Sequence, residues 1–342
     1  MTIDINTFLN LRADLPIVDV RSQKEFQEGH ITNAANIPLL NNEERIAVGT
    51  DYKQKGQLDA IKTGFRLVGP RLPEIINAAE EISKQREILV HCWRGGMRSN
   101  NFCQFIGMAR IKSHSLQGGY KAYRQLAMES FKKPFQFTVL SGYTGSGKSE
   151  VLRTLVQKGE QVIDLESLAH HKGSAFGGLD MPPQPTTEQF QNNLFEAILK
   201  LDASKRIWIE DESIAIGKIF LPQPFWLQMN ISPVVEMIVP KETRINRLVK
   251  EYGSANKEEF LEAMERVTRK LGGQHFNTAK EKLLQNDMPA VMDILLTYYD
   301  KAYQTSLKKK HDRIKHEVQW NGDDLATLSS SLNKLQLQQT NG

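Results

Sequence analysis

The sequence predicts an α/β fold of two consecutive parallel-sheet domains, on three observations. Its 342 residues suffice for about two domains of ordinary size. Hydrophobic residues make up 40% of the chain and charged residues 25%, as in folded globular proteins rather than disordered or fibrous ones. Short apolar runs alternate with segments of helical periodicity in both halves, a pattern typical of parallel strands joined by crossover helices.

The first predicted domain covers residues 1–132. Apolar runs at 17–20 and 87–92 predict buried strands, and the amphipathic spacing at 97–109 predicts a helix soon after the second strand. Residues 130–137 contain two lysines and a proline just before a new apolar run, which places the domain boundary there.

The second predicted domain covers residues 133–342 and ends in a helical, basic part. Its predicted strands follow apolar runs at 135–140, 161–164, 206–210 and 234–239. The chain beyond residue 243 is mostly charged and has helical periodicity. From about residue 325 it is rich in Ser, Gln and Asn, which predicts a frayed end.

Cysteine content and hydropathy indicate the cellular setting. Two cysteines are too few for a disulfide scaffold. No apolar run approaches the roughly 18 residues of a membrane span. The first residues include acids and lack the basic-then-apolar pattern of a signal peptide. We therefore expect a cytoplasmic protein with no membrane partner.

The net charge of +4 does not by itself indicate a nucleic-acid partner. Residues 301–316 are more informative, because they contain six Lys or Arg and a single acid, Asp312. Such a stretch can bind phosphates. A solvated helix face has the same composition, so both interpretations stay open.

A cysteine stands at the predicted junction of a strand and a helix, in the string HCWRGGMRS at 91–99. At such a junction, backbone N–H groups and the helix N-terminus favour an anion. Gly95 and Gly96 allow the backbone to curl, and Arg94 and Arg98 add positive charge. These features should lower the pKa of Cys92 and keep it as a nucleophilic thiolate. We take Cys92, Arg94 and Arg98 as candidate catalytic residues, with a buried structural cysteine as the alternative.

Two residues near this loop are expected to be structural. Cys103 lies in the middle of a predicted helix among apolar neighbours, as a small buried hydrophobe does. His91 ends the preceding strand and is expected to be a hydrogen-bonded structural histidine rather than a general base.

A phosphate-binding loop follows the first strand of the second domain. Residues 142–149, GYTGSGKS, fit the pattern G-x-x-x-x-G-K-[ST] between a strand and a helix. Backbone N–H groups of such a loop hold a diphosphate, Lys148 would neutralise it, and Ser149 could ligate Mg²⁺. The candidate binding residues in the loop are Gly142, Gly145, Ser146, Gly147, Lys148 and Ser149.

An acidic strand end completes this second candidate site. Glu210 and Asp211 follow the apolar run at 206–209 and resemble the carboxylates that hold Mg²⁺ through water in such folds. The sequence does not choose between them. His170 and His171 are adjacent, but no third ligand is evident, so no resident metal site is predicted.

The first domain resembles the rhodanese family. The resemblance rests on DVR at 19–21, GHI at 29–31, NIP at 36–38, the cysteine loop and LQGGY at 116–120. It implies a rhodanese fold and a cysteine that carries sulfur or selenium. Five residues separate Cys92 from Arg98, whereas simple rhodaneses usually have four. The longer loop resembles that of Cdc25-like phosphatases and predicts a cradle wide enough for a tetrahedral oxyanion.

The whole chain, over roughly residues 5–320, resembles the bacterial tRNA 2-selenouridine synthases. The supporting strings are NEER at 42–45, the cysteine loop, the phosphate-binding loop and EDES at 210–213. The resemblance implies a transferase that acts on tRNA carrying wobble 2-thiouridine. Its co-substrates would be geranyl diphosphate, which gives S-geranyl-2-thiouridine, and selenophosphate, whose selenium would pass through a Cys92 perselenide. A selenophosphate-producing enzyme would be its donor partner.

Two other functions stay open at this point. The five-residue spacing and the phosphate-binding loop also permit a kinase-like P-loop domain fused to a Cdc25-like cysteine phosphatase. A non-enzymatic adaptor that binds nucleotide and RNA is the third. The chain retains Cys92, Arg98 and Lys148, which argues against the adaptor. Residues 225–227, Phe-Trp-Leu, are candidates either for an isoprenoid pocket or for plain core.

Overall fold

The computed structural model describes residues 1–83 and 85–335 and divides into two compact units. The first unit comprises Met1–Ser130 together with Gln191–Asn193, and the second begins at Phe131 and contains the other described residues. Each unit is built on a parallel sheet with helices, so the predicted α/β class is confirmed. No helix within the described ranges is both long and apolar enough to cross a membrane.

The first unit alternates strands and helices along the chain. Its elements are β1 (Thr2–Ile3), α1 (Ile5–Leu11), β2 (Ile17–Asp19), α2 (Gln23–Glu28), β3 (Ala34–Asn36), α3 (Asn42–Gln54), α4 (Gln57–Val68), α5 (Leu72–Ile82), β4 (Glu87–His91), α6 (Met97–Met108), β5 (Lys112–Leu116) and α7 (Gly119–Ser130). A 3₁₀ turn at Gly69–Arg71 separates α4 from α5.

The sheet of the first unit has the order β1-β5-β4-β2-β3, with every pair parallel. Ile88, Leu89 and Val90 of β4 are fully buried, because a central parallel strand is covered on both faces. After β2 the chain continues to β3, at one edge of the sheet, whereas after β4 it continues to β5, on the side of the other edge. The carboxyl ends of these two neighbouring strands therefore form the switch point at which open α/β sheets bind ligands.

The second unit continues the alternation and then becomes helical. Its elements are β6 (Gln136–Gly142), α8 (Lys148–Gln157), β7 (Gln161–Ile163), α9 (Leu165–Ala169), α10 (Thr187–Ile198), β8 (Arg206–Glu210), β9 (Ala215–Ile216), β10 (Ile219–Phe220), α11 (Gln223–Ile231), β11 (Val234–Ile238), α12 (Lys241–Tyr252), α13 (Lys257–Leu271), α14 (Gly273–Leu284), α15 (Met288–Lys310), β12 (Ile314–Gln319) and α16 (Leu325–Asn333).

The second sheet is also parallel and has the order β12-β11-β6-β8-β7. One apolar core covers it, in which α8 and α16 contribute Leu152 and Leu328 against Trp208 of β8. A separate apolar cluster joins α12 to α15, with Phe260, Met264 and Leu295 among its buried members. The strand β6 is central, so the loop after it opens at the middle of the sheet edge.

The expected fraying from about residue 325 is wrong for the part that the structure describes. Residues 325–333 form α16, capped where Asp324 accepts the Thr327 N–H at 3.0 Å. Leu328 and Leu332 are buried. Although the segment is mostly polar, it has a leucine at every third or fourth position. This spacing places the leucines on one face of a helix, which can then be buried. Residues 336–342 of the expected frayed end lie outside the described residues.

Candidate functional site

Cys92 lies directly after β4, at the base of the loop that leads into α6. Its side chain is buried, with 3% exposed. The Gly96 N–H donates to Cys92 Sγ at 3.3 Å, and Ser99 Oγ lies 3.3 Å from the same sulfur. Burial opposes ionisation, but hydrogen bonds from Ser99 and from backbone N–H groups outweigh it and lower the pKa of Cys92. The thiol is therefore set up as a nucleophile within an N–H-lined loop.

A second glycine-rich segment holds this loop in place. The N–H of Tyr120 donates to the Cys92 carbonyl at 2.8 Å, at the start of α7. Gly95 has φ +65°, and a Cβ added there would lie 2.5 Å from the Leu116 carbonyl. Gly119 has φ +59°, and a Cβ there would collide with the Cys92 carbonyl. Only glycine permits both backbones to approach this closely, which explains the string at 116–120.

The two candidate arginines of the cysteine loop differ in their surroundings. Arg94 is exposed. Arg98 lies in the first turn of α6 and forms an ion pair with Glu25 of α2, at 2.7 Å between Nη1 and Oε2. Arg45 reaches the same carboxylate oxygen at 3.0 Å. Glu25 was not predicted as a site residue.

Asp19 and Arg21 form a buried ion pair at the carboxyl end of β2. Arg21 Nη2 donates to Asp19 Oδ2 at 2.6 Å, and its guanidinium lies 3.8 Å from the centre of the Tyr120 ring. His91 is fully buried, and burial lowers its pKa, so the ring is neutral. Among the described residues, neither ring nitrogen of His91 has a hydrogen-bond partner, contrary to the expected hydrogen-bonded histidine.

The phosphate-binding loop lies between β6 and α8, as the sequence predicts. Gly145 and Gly147 have φ of +80° and +83°, which curls the backbone. Lys148 Nζ donates to the Gly142 carbonyl at 3.0 Å, across the loop. Ser146 Oγ is buried and has no hydrogen-bond partner among the described residues. A cradle with an unpaired inward hydroxyl and a lysine over it suits an anion.

This loop opens into a cavity of about 890 Å³ within the second unit. Both positive and negative side chains line its walls. The basic lining residues are Lys148, Arg153, Lys172, Arg247, Lys250 and Lys310. The acidic lining residues are Glu150, Asp164, Glu166, Asp211, Glu212 and Glu251. The cavity is large enough for a diphosphate with an attached organic group.

The structure separates the two candidate carboxylates at the end of β8. Glu210 is fully buried, and its Oε2 accepts the Glu166 N–H at 3.0 Å. Burial and the charge of Glu166 raise the pKa of Glu210 well above its usual value, which favours the protonated carboxyl group. Asp211 instead faces the cavity, where Lys310 Nζ lies 2.6 Å from both carboxylate oxygens.

Two further carboxyl groups near the loop were not assigned a firm role from sequence. Glu166 Oε2 accepts the Ser149 hydroxyl at 2.8 Å. Glu212 also lines the cavity, and burial together with the charge of Glu166 raises its pKa to about 8. Within residues 1–83 and 85–335, no three His, Cys, Asp or Glu side chains are grouped as a metal site.

The basic stretch at 301–316 is not one continuous helix face. It spans the end of α15, a 3₁₀ turn and the start of β12. Lys310 points into the cavity, and Arg313 Nη1 donates to the carbonyls of Met229 and Ser232, each at 3.1 Å. Lys301, Lys308, Lys309 and Lys315 are exposed and are the part of the stretch that can reach a polyanion.

A parallel-sheet unit with a cysteine at an N–H-lined loop, followed by a P-loop unit, defines the class of this protein. Family models agree, because a rhodanese-like domain matches residues 5–126 and a tRNA 2-selenouridine synthase AAA domain matches 135–330. The chain belongs to the tRNA 2-selenouridine synthase family, and this confirms the resemblance noted from the sequence.

Curated relatives named tRNA 2-selenouridine synthase match along nearly their whole length. The protein of Shewanella sediminis is 36% identical, over 87% of this chain and 89% of its own. That of Hydrogenovibrio crunogenus is 35% identical, over 88% and 91%. That of Nitrosomonas europaea is 30% identical, over 87% and 90%.

Proposed function

We propose that the chain converts wobble 2-thiouridine in tRNA to 2-selenouridine, with geranyl diphosphate and selenophosphate as co-substrates. The observation that carries this proposal is the Cys92 thiol of lowered pKa within a loop shaped for an anion, in a chain of this family. The reaction has two steps, alkylation of sulfur and replacement of that sulfur by selenium.

Alkylation belongs to the P-loop cavity. The sulfur of 2-thiouridine attacks C1 of geranyl diphosphate, the C1–O bond breaks, and diphosphate leaves with the electron pair. The N3 proton of the thiouracil ring passes to water, which leaves neutral S-geranyl-2-thiouridine. The N–H groups of the 142–149 loop and the Lys148 ammonium bind the diphosphate and stabilise the charge that develops on it. Lys148 must exchange its bond to the Gly142 carbonyl for one to the ligand.

The cavity also fits a Mg²⁺ ion bound together with the diphosphate. Ser149 offers a hydroxyl, and Asp211 and Glu212 are carboxyl groups on the same walls. Mg²⁺ is usually held by one or two protein oxygens, the substrate phosphates and water. Such an ion would neutralise diphosphate charge.

Selenation belongs to the Cys92 loop. In the proposed step, the Cys92 thiolate attacks the selenium of selenophosphate, the Se–P bond breaks, and Cys92 carries a perselenide. Its terminal selenium then attacks C2 of S-geranyl-2-thiouridine and expels the geranylthiolate. A small thiol next attacks Cys92 Sγ, which releases 2-selenouridine and leaves Cys92 in a mixed disulfide that a second thiol reduces.

Electron balance makes the perselenide step testable. Thiolate attack on selenium leaves the Se–P electron pair on phosphorus, so phosphite is the required product. Release as phosphate would require an added oxidant. Phosphorus-31 NMR after one turnover distinguishes the two. Phosphite with selenium on Cys92 supports the perselenide. Phosphate without selenium on Cys92 contradicts it, and the loop would then bind a selenophosphate whose own selenium attacks C2.

The tRNA backbone is proposed to contact exposed basic residues, with Lys301, Lys308 and Lys309 the first candidates. The donor arrives from a selenophosphate-producing enzyme, and the compartment is the cytoplasm. In this setting free thiols are available for the release step.

The test is nucleoside mass spectrometry of 2-thiouridine tRNA incubated with geranyl diphosphate and selenophosphate. The wild type should form 2-selenouridine. Cys92→Ser should stop at S-geranyl-2-thiouridine, and Lys148→Ala should form little of either product. Unchanged 2-thiouridine from folded wild type would contradict the proposal. ATP turnover without tRNA would then favour the kinase fused to a Cdc25-like phosphatase.

A further inference from the structure

The first unit carries an apolar cleft of about 150 Å³ between α3, α4 and α6. Val48 of α3, Ile61 and Phe65 of α4 and Phe105 of α6 are among its walls. Among the described residues that line it, Arg98 alone carries a charge. The cleft therefore suits a hydrocarbon and not a diphosphate.

Large apolar side chains at this cleft are exposed to water. Tyr52 is 60% exposed, Phe65 56% and Met97 49%. Exposed apolar side chains that cluster around one concave surface are uncommon in soluble proteins and indicate a binding site. The glycine Gly64 forms part of the wall, and an added Cβ there would meet only Val48 Cγ2, at 4.0 Å.

The start of α6 connects the cleft with the cysteine loop. Met97 and Arg98 line it, and both follow directly on Gly96, whose N–H donates to Cys92 Sγ at 3.3 Å. A chain lying in the cleft would therefore have one end beside the group that delivers selenium. Of the earlier candidates at 225–227, Phe225 is fully buried and packs edge-on against Phe137 in the core of the second unit, with ring centres 5.0 Å apart.

We propose that this cleft binds the geranyl chain of S-geranyl-2-thiouridine during selenation and retains it as the geranylthiolate leaves. The inference rests on the proposed function. The chain is covalently attached to the sulfur that is displaced, so it must lie within one thioether bond of the carbon that selenium attacks. A site next to Cys92 meets that requirement.

The size of the cleft agrees with a short isoprenoid. A dry cavity of about 150 Å³ lined by Leu, Ile and Phe admits a six-carbon ring. The ten-carbon geranyl chain is longer, and its remaining carbons would lie over the exposed faces of Tyr52 and Phe65 at the mouth. Each buried methylene contributes about 0.8 kcal/mol, so two of them change affinity about tenfold.

Gly64→Leu is the variant that tests the cleft. Its side chain would fill the space in front of Val48 without touching Cys92, and leucine favours the α4 helix more than glycine does. Gly49→Leu is the matched control, because Gly49 lies on the neighbouring helix α3, is exposed, and has no atom within 4 Å of an added Cβ.

The assay supplies full-length protein with S-geranyl-2-thiouridine tRNA or S-methyl-2-thiouridine tRNA, plus selenophosphate, and measures kcat and KM of selenation. We expect Gly64→Leu to raise KM for the S-geranyl tRNA at least about tenfold. Gly49→Leu should not raise KM for the S-geranyl tRNA. Gly64→Leu should not raise KM for the S-methyl tRNA, because that substrate has no chain to place in the cleft. Equal KM values for the two leucine variants would overturn the proposal.

A binding measurement separates this inference from the proposed function. Calorimetric titration with the S-geranyl-2-thiouridine nucleoside requires no turnover. Binding to wild type and Gly49→Leu, but about tenfold weaker binding to Gly64→Leu, supports the cleft even if tRNA is not selenated, in which case only the proposed function fails. No binding to wild type, or equal binding to all three proteins, overturns the cleft.

Discussion

Arg98 is held by Glu25 through two hydrogen bonds, Nη1 to Oε2 at 2.7 Å and Nη2 to Oε1 at 3.2 Å. Both side chains are largely buried, with 21% and 13% exposed. The arginine that closes the cysteine loop is thus oriented by a carboxylate on a different helix. Burial opposes ionisation of Glu25, but Arg98 outweighs it and lowers the pKa of Glu25, so the pair is charged at neutral pH.

Replacing Glu25 should therefore weaken both the fold and selenation. We expect Glu25→Gln to lower the free energy of unfolding by about 1.5–3 kcal/mol, the range for a hydrogen bond to a charged group. The kcat of selenation should fall about tenfold, since Arg98 is released from its position. The amide oxygen of glutamine can still accept the Ser22 N–H, so the N-terminal cap of α2 is retained.

Denaturant unfolding and selenation kinetics check this prediction against Glu80→Gln. Glu80 forms an ion pair with Arg86 in which both side chains are about half exposed, so its loss should cost little. Because the pKa of Glu25 is lowered, the stability difference should be full above its unfolded value of 4.5 and disappear as pH falls through the lowered value. Equal losses in the two variants would contradict the role of Glu25.

We expect Ser99 to help keep Cys92 ionised. Its hydrogen bond is the main contribution that lowers the pKa of Cys92 against the effect of burial. We expect Ser99→Ala to move the pH midpoint of Cys92 alkylation by iodoacetamide upward. The measurement is made in a Cys103→Ser background, so that Cys92 is the thiol that reacts. Ser113→Ala is the control, since Ser113 bonds to the other cysteine, and its midpoint should not move. An unmoved midpoint in Ser99→Ala would rule out this account.

Glu212 should make the second unit less stable as the pH rises. Burial and the charge of Glu166 raise the pKa of Glu212 from 4.5 to about 8, so the folded state binds more protons than the unfolded state between these values. Stability therefore decreases with rising pH in that window. The glutamine of Glu212→Gln does not ionise. The free energy of unfolding of this variant should therefore increase relative to that of wild type from pH 5 to pH 8. Parallel pH profiles would show that Glu212 is not the titrating group.

Asp211 should oppose diphosphate binding unless a metal is present. It neutralises Lys310 at 2.6 Å on the cavity wall. In EDTA, Asp211→Asn should bind inorganic diphosphate several-fold more tightly, because Lys310 becomes available to the anion. With Mg²⁺, wild-type affinity should rise while that of Asp211→Asn stays unchanged. Calorimetry measures both, and Asp293→Asn, which removes an exposed partner of Lys241, is the control. Tighter binding in both variants would indicate only a general charge effect.

The parts of the fold that sequence could predict are those in which local pattern and burial coincide. The strand β8 occupies residues 206–210 as predicted, because a buried parallel strand is a continuous apolar run. The two loops follow from local strings whose glycines and charged residues are adjacent. The α16 helix was missed since its polar composition concealed three leucines on one face.

Contacts that depend on topology could not be predicted in this way. Glu25 and Arg98 are 73 residues apart, and Asp211 and Lys310 are 99 apart, so no local pattern connects them. The apolar cleft could not be predicted for the same reason. Its walls come from three helices and from the segment before α3, and no single one of these segments has the pattern of a lipid site. The choice between Glu210 and Asp211 likewise required knowing which one the sheet buries.

Gly119 offers the sharpest test of how the cysteine loop is shaped. At φ +59° an added Cβ would collide with the Cys92 carbonyl, so Gly119→Ala combines backbone strain with a steric clash. We expect it to lower the free energy of unfolding by about 2 kcal/mol or more and to raise the midpoint of Cys92 alkylation, since the loop N–H groups are displaced. Gly107→Ala, in α6 with no atom within 4 Å of its added Cβ, should be neutral or stabilising by up to about 1 kcal/mol. If both alanine variants match wild type in stability and in alkylation, the close approach of the two glycine segments does not shape the loop.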